Sequence, residues 1–225
     1  MPLFFREKDY NINIPLEGKE GGNAVQQRNY QREMDALIAS LDAHPRLLLH
    51  SCCGPCSSAC LERLTPHFDI DVFFYNPNIL PAEEWEKRLF WQKHLLETAP
   101  FCANVGLIVP ERDEAAFRLA AAGLEAESEG GARCTECFVL RLSRTAAAAR
   151  DSGYDYFATT LTVSPHKNAL LINAIGEKLA GECGVSWLPS DFKKRDGYRR
   201  SIELSHEYGL YRQSWCGCGL PEDIS

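Results

Sequence analysis

Leu47-Leu48-Leu49-His50-Ser51-Cys52-Cys53-Gly54-Pro55-Cys56-Ser57-Ser58 changes character twice within one short stretch. The leucine run predicts a buried strand, and the pattern from Gly54 through Leu64, ending before Pro66, predicts a helix. A buried strand running straight into a helix is the building unit of a parallel sheet, and such sheets bind ligands at the carboxyl ends of their strands. Three cysteines occupy that turn. Helix-terminal N–H groups and the positive end of the dipole favour anions there, thiolates included. Gly54 lets backbone approach a bulky ligand, and Pro55 begins the helix without wasting a donor. Neighbours such as Cys52 and Cys53 are expected to point apart, which suits different corners of one cluster better than a single zinc ion. Cys60, one helical turn further on, is expected in the core.

Outward from this unit, strand and helix patterns alternate. Tyr30, Met34, Leu37, Ile38 and Leu41 have helical spacing and stop before His44-Pro45. A strand is expected over 70–75, opening into Asn76-Pro77-Asn78-Ile79-Leu80-Pro81, then a helix over 82–98. A strand over 105–109, a helix over about 113–122 and the break Gly130-Gly131 follow. Then come a helix over 134–151, rich in alanine, a strand over 155–159, a helix over 168–180, a strand over 185–188 and a helix over about 198–208. Five strands separated by helices predict an α/β fold, a Rossmann-like parallel sheet with helices on both faces in one domain. Residues 1–27, with Gly18, Gly21 and Gly22 among charges, are expected to form a flexible arm. The domain then spans 28–225 and ends in a cysteine-rich tail.

Composition narrows the chemistry. The 225 residues are 45% hydrophobic and 24% charged, which excludes a largely disordered chain. No apolar run approaches the roughly 18 residues of a membrane span. Charge appears by Arg6, too early for a secretory signal, so the expected location is cytoplasmic, with no membrane partner. The 24 basic residues against 31 acidic give −7, so a nucleic-acid partner requires a local basic patch. Ten cysteines make about 4% of the chain, below the roughly 8–10% of a disulfide scaffold. In a reducing compartment such clustered thiols read as metal ligands or redox catalysts.

Arg133-Cys134-Thr135-Glu136-Cys137-Phe138 puts two thiols at i and i+3 in the first turn of a helix, on one face. Alone, this spacing is open among zinc, a dithiol couple and an iron–sulfur site. With Cys52 and Cys53 waiting at another helix start, four ligands fit a [4Fe–4S] cubane. Cys216-Gly217-Cys218 is too tightly spaced for a comfortable disulfide; it reads as an easily reduced redox pair or a chelate for one ion. Cys102 and Cys183 stand singly and are expected to pack. Lys193, Lys194, Arg195, Arg199 and Arg200 surround Tyr198, the pattern of phosphate contact with base stacking, although a solvated charged face has the same composition. Thr159 to Asn168 brings hydroxyls, His166 and Lys167 to a strand's carboxyl end, suited to phosphate or proton handling, or to a plain helix cap. His50 either tunes the cysteine site or satisfies a backbone carbonyl. Glu83, Glu84, Trp85 and Arg88 are expected on the surface.

Six stretches taken together resemble the epoxyqueuosine reductases of the QueH type. They are Leu49 to Ser57, Tyr75-Asn76-Pro77-Asn78-Ile79, Arg133 to Phe138, Thr160 to Lys167, Phe192 to Tyr198, and Tyr211-Arg212-Gln213-Ser214-Trp215-Cys216-Gly217-Cys218. The resemblance covers roughly 28–218. It implies reduction of the epoxide of epoxyqueuosine, at the wobble position of tRNA, to the cyclopentene of queuosine, the last step in making that nucleoside. It implies an iron–sulfur enzyme without cobalamin, on a sheet similar to that of PP-loop ATPases. Where those enzymes place a Ser-Gly-Gly-x-Asp-Ser pyrophosphate loop, this chain has Ser51 to Ser57, so ATP is not expected. Carried over, Cys52, Cys53, Cys134 and Cys137 would hold the [4Fe–4S] cluster. Cys216 and Cys218 would be a redox-active pair or would bind a second, mononuclear iron with Cys56, where some members of the family carry Asp. His166 and Lys167 are proton-donor candidates by type, and a cytosolic one-electron donor of the ferredoxin or flavodoxin kind is the expected partner. The competing readings are an ATP-dependent tRNA thiolase of the same fold, a zinc-stabilised RNA-binding module, and a dithiol oxidoreductase using Cys134 and Cys137.

Overall fold

The computed structural model describes residues 28–219, so the arm expected over 1–27 lies outside the described residues. Five strands, β1 (Arg46–His50), β2 (Asp69–Phe73), β3 (Gly106–Ile108), β4 (Tyr156–Thr159) and β5 (Ser186–Trp187), form one sheet in the order β3-β2-β1-β4-β5. Every pairing is parallel. The leucine run is central and covered on both sides. Leu47 and Leu49 face Met34, Leu61 and Leu64, whereas Leu48 faces Leu142, Phe157 and Ile172. This double burial is why the strand reads as a continuous apolar run instead of an alternation, and each of these leucines contributes about 1.5–3 kcal/mol relative to exposure.

The first of those faces is covered by α1 (Tyr30–Ala39), α2 (Gly54–Leu64) and α3 (Ala82–Thr98), with α7 (Gly197–Glu207) packed against α2. The second is covered by α5 (Ala132–Asp151) and α6 (Ala169–Cys183), with α4 (Glu114–Ala120) packed on α5. The α/β architecture with helices on both faces is therefore as the sequence predicts. Differences are confined to element ends. Strand β2 stops at Phe73, because after one further sheet bond from Phe74 the chain turns and Asn76 Nδ2 reaches back to the Ser51 carbonyl at 2.8 Å. Asp113 and Asn168 sit outside their helices as N-caps, accepting from Ala116 and Leu171 N–H.

Strand order reverses at β1: the chain proceeds from β1 to β2 over one face, and from β4 to β5 over the other. The crevice beyond the carboxyl ends of β1 and β4 is thus a topological switch point, where open sheets leave room for a ligand. Its geometry depends on Gly54, whose Cα comes so close to α3 that an added Cβ would lie 2.6 Å from the Trp91 carbonyl oxygen. Gly54→Ala is therefore expected to lower stability by about 1–3 kcal/mol, a fall in Tm of about 2–10 °C. Gly181→Ala, where nothing lies within 4 Å of the added atom, should leave Tm unchanged or raise it. Calorimetry of both variants checks the contrast.

Candidate functional site

The turn after β1 is tied down by side chains of its own motif. Ser51 and Ser57 both donate to Gln92 Oε1 of α3, at 2.7 and 2.8 Å. Cys53 is the residue preceding α2, in extended conformation and with no side chain capping the helix. The sulfurs of Cys52, Cys53 and Cys56 all lie within 4.8 Å of one another. Cys52 and Cys53 do not point apart as adjacent strand residues would: their sulfurs are 3.7 Å apart, because the chain bends at Cys52 and breaks the strand alternation. Hydrogen bonds from Cys53 and Cys56, followed by the charge of Arg141, hold the Cys52 thiol well below its ordinary value. Burial pushes Cys53 up to about 12.

The second wall comes from α5, where Cys134, Cys137 and Arg141 follow one another at helical spacing. Cys134 packs in the same buried cluster as Cys52 and Cys53, and its sulfur accepts from Gly130 N–H at 3.2 Å. Arg141 is 2% exposed. Its Nη2 donates to Asn76 Oδ1 at 2.7 Å, its Nε to His50 Nε2 at 3.2 Å, and its Nη1 lies 3.9 Å from Cys137 Sγ. Among the described residues no carboxylate pairs with it. Burial opposes its charge, yet the sulfurs of Cys137, Cys52 and Cys216 more than offset this and raise it. His50 is fully buried beside it, and burial together with the guanidinium lowers its pKa to about 3. It is a neutral imidazole whose Nδ1 meets Thr159 Oγ1 at 2.8 Å and whose Nε2 faces Arg141 and the Tyr75 carbonyl.

The third wall is the tail, and it corrects one expectation. Arg88 is not a surface residue: it is 2% exposed, paired with Glu84 at 2.6 Å, and donates to the carbonyls of Cys216 and Trp215 at 2.9 and 3.3 Å. Gly217 adopts φ +102°, and a Cβ there would lie 3.0 Å from the Arg88 guanidinium, so glycine is needed for the clamp to close. Leu80 N–H bonds the Gly217 carbonyl at 2.7 Å, and Gln213 Nε2 reaches Cys53 Sγ at 3.0 Å. Lys167 Nζ lies 3.7 Å from Cys216 Sγ and 3.8 Å from Glu129. A hydrogen bond from Cys218, followed by the Lys167 and Arg141 charges, outweighs burial and lowers Cys216 to about 5. Cys218 is raised. Cys137 packs with Cys218 on Phe117.

These walls enclose a cavity of about 310 Å³ at the switch point, lined by Cys52, Cys56, Cys216, Arg141, Lys167 and His166 among others. A family model described as "Epoxyqueuosine reductase QueH" matches residues 47–223. The chain is 43% identical over 200 residues to the epoxyqueuosine reductase QueH of Staphylococcus epidermidis, covering 86% of this chain and 84% of that one. It is 42% identical over 203 residues to that of Streptococcus pyogenes serotype M1, covering 87% and 79%. With that of Thermotoga maritima it shares 35% over 175 residues, covering 76% and 88%. The chain belongs to the QueH family of epoxyqueuosine reductases.

In this QueH chain the expected site residues fall into two sets. Cys52, Cys53, Cys56, Cys134, Cys137, Cys216, Cys218 and Lys167 surround the cavity or pack directly behind it, with His166 exposed at its rim. Cys60 and Cys102 are buried in the core, and Cys183 is half buried against it, as expected. The basic stretch is another matter. Lys193 pairs with Asp191, Arg195 with Asp35, Arg199 with Asp196 and Glu203, and Arg200 with Glu62 and Glu203. Only Tyr198 of that stretch lines the cavity. Sequence reading gave no role to Arg141, Asn76, Gln92 or Gln213. For Arg141 a signal existed in its spacing four residues after Cys137.

The depressed Cys216 thiol makes a measurable statement about the metal-free, reduced protein. A thiol lowered to about 5 is already thiolate at neutral pH, so its alkylation rate should be flat from about pH 6 to 8 and fall tenfold per unit below about 5. An ordinary thiol gains tenfold per unit up to pH 8. Pulsed iodoacetamide labelling read by peptide mass spectrometry should therefore mark Cys216, the more exposed of the two lowered thiols, ahead of Cys52 at pH 6, with Cys60 and Cys102 unlabelled.

Proposed function

We propose that this protein reduces the epoxide of epoxyqueuosine in tRNA to the cyclopentene of queuosine, with Cys52, Cys53, Cys134 and Cys137 as the ligands of a [4Fe–4S] cluster. The family match carries the reaction, and the observation that supports the cluster is the guanidinium of Arg141, buried beside the thiols of Cys52, Cys137 and Cys216 with no carboxylate partner among the described residues. A buried cation needs an anion, and among the described residues the charge partners of Arg141 are sulfurs that metal ligation would make thiolates. The donor set fits such a group: soft sulfurs at two helix starts, with Cys52 and Cys53 lying within 4.8 Å of each other and of Cys56, and Cys134 in the same buried cluster. Cys216 and Cys218, with Cys56 nearby, serve as a dithiol or as ligands of a further iron.

Removing the epoxide oxygen consumes two electrons and two protons and releases water. An iron–sulfur cluster supplies electrons one at a time. The residues do the rest. Arg88 fixes the Cys216 backbone, so that the sulfur stands beside Lys167 at the cavity wall. Burial opposes the charge of Lys167, but the sulfurs of Cys216 and Cys52 and the Glu129 carboxylate together hold it protonated, and it presents N–H donors to an oxygen placed over Cys216. His166, on the rim, is placed to carry protons from solvent. A one-electron donor of the ferredoxin or flavodoxin kind completes the reaction.

Anaerobically purified protein should be brown, with about four irons and four sulfides per chain. Cys134→Ser should bleach it. Cys216→Ser with Cys218→Ser should keep the cluster colour and tRNA binding but abolish conversion of epoxyqueuosine, read by nucleoside mass spectrometry of the digested tRNA. A colourless wild-type protein with stoichiometric zinc, or normal turnover in the double variant, overturns the assignment concerned.

A further inference from the structure

Of the seven large apolar side chains exposed among the described residues, Tyr198 and Trp215 are the two that line the cavity. Each is 37% exposed. They come from separate elements, the first turn of α7 and the tail, and each carries a guanidinium over its ring. Arg212 lies 5.7 Å from the centroid of Tyr198 and Arg88 lies 5.3 Å from that of Trp215. Both cations are anchored: Arg212 on the Ser201 carbonyl and Ser205 Oγ, and Arg88 on the tail carbonyls and Glu84. A ring braced in this way from one side offers its other face at low entropic cost.

We infer that Tyr198 and Trp215 form a stacking site for unpaired nucleobases, with Arg212 as the adjoining phosphate contact. The inference rests on the reading that the substrate is epoxyqueuosine in an anticodon loop. A cavity of about 310 Å³ is at the small end of the roughly 300–1,000 Å³ of small-molecule sites, so one nucleotide enters and the loop does not. The base that bears the epoxide must therefore leave its neighbours, at a cost that fresh stacking offsets. Trp215 directly precedes Cys216, and Arg88 fixes the backbone of both, so a base seated on the indole has its substituent delivered toward Lys167 and the Cys216 sulfur. Arg212 is anchored through Nη1 alone and has no carboxylate partner among the described residues, so its charge is available to a phosphate.

The test uses anaerobically purified holoprotein and a fluorescent anticodon stem-loop carrying epoxyqueuosine. Trp215→Leu and Tyr198→Leu should each weaken binding about 5- to 150-fold, as loss of a stacked base implies, with iron content and salt slope unchanged. Trp215→Phe and Tyr198→Phe should stay within about threefold of wild type. Arg212→Gln should instead reduce the magnitude of the salt slope by about 0.7. Without any variant, the bound loop should quench part of the tryptophan emission, and Trp215→Phe should lack that part. Leu variants that bind as tightly as wild type, or Phe variants as weak as the Leu variants, overturn the inference; if wild type still reduces the loop, the reading of the activity stands. Ring-dependent binding without reduction by wild type leaves the stacking site in place and sinks the reading of the activity.

Discussion

A guanidinium held in the interior without a carboxylate constrains everything around it. Desolvating an unpaired cation costs several kcal/mol, so Arg141 is tolerable only with good hydrogen bonds and a nearby negative charge. Asn76 and His50 provide the first, and in doing so Arg141 joins the loop after β2 to the end of β1. The sulfurs provide the second. Because Asn76 also donates to the Ser51 carbonyl, the same network fixes the turn that carries Cys52 and Cys53. One side chain from α5 thereby sets the relative position of two cysteine motifs that lie about 80 residues apart in the chain.

The sheet explains why those motifs meet at all. Strand β1 sends its helix over one face while α5 arrives over the other, and the two helix starts converge only at the carboxyl ends of β1 and β4. A pyrophosphate would use the N–H groups of that turn. Here the thiols occupy the position, and Pro55 with the uncapped Cys53 leaves the helix dipole directed at them. The tail closes the third side, and it is held by its backbone: Arg88 and Leu80 grip the three successive carbonyls of Trp215, Cys216 and Gly217.

What was legible in the sequence was what local pattern carries. The leucine run, the helix starts at Gly54 and near Cys134, and the alternation of elements are periodicities, and they reappear within a few residues of where they were expected. Pairing across long distances was not legible. Arg88 and Arg141 sit in helices whose charged residues ordinarily face solvent, and nothing local distinguishes a guanidinium that turns inward. Long-range pairing is equally hidden at Lys193 to Arg200. Five cations in eight positions have the composition of a phosphate-binding patch, and nothing in the sequence shows that Asp35 and Glu62, from α1 and α2, stand beside Arg195 and Arg200. Charge counting along the chain cannot see acids delivered by the fold.

Those acids offset much of the charge of the stretch, and a second group of cations stands at the cavity. The chain as a whole carries −7, and at physiological salt a field decays within about 8 Å, so distant acids matter less to an approaching phosphate than the cations it meets at contact. Around the cavity stand Arg88, Arg141, Lys167 and Arg212 against the single carboxylate of Glu129. Arg141 is committed to sulfur, and Arg88 to Glu84 and the tail. Lys167 and Arg212 remain, one beside the Cys216 sulfur and one at the rim. An acidic protein can therefore hold an RNA loop where its chemistry is done and repel it elsewhere, so the global repulsion sharpens the choice of docking site instead of opposing it.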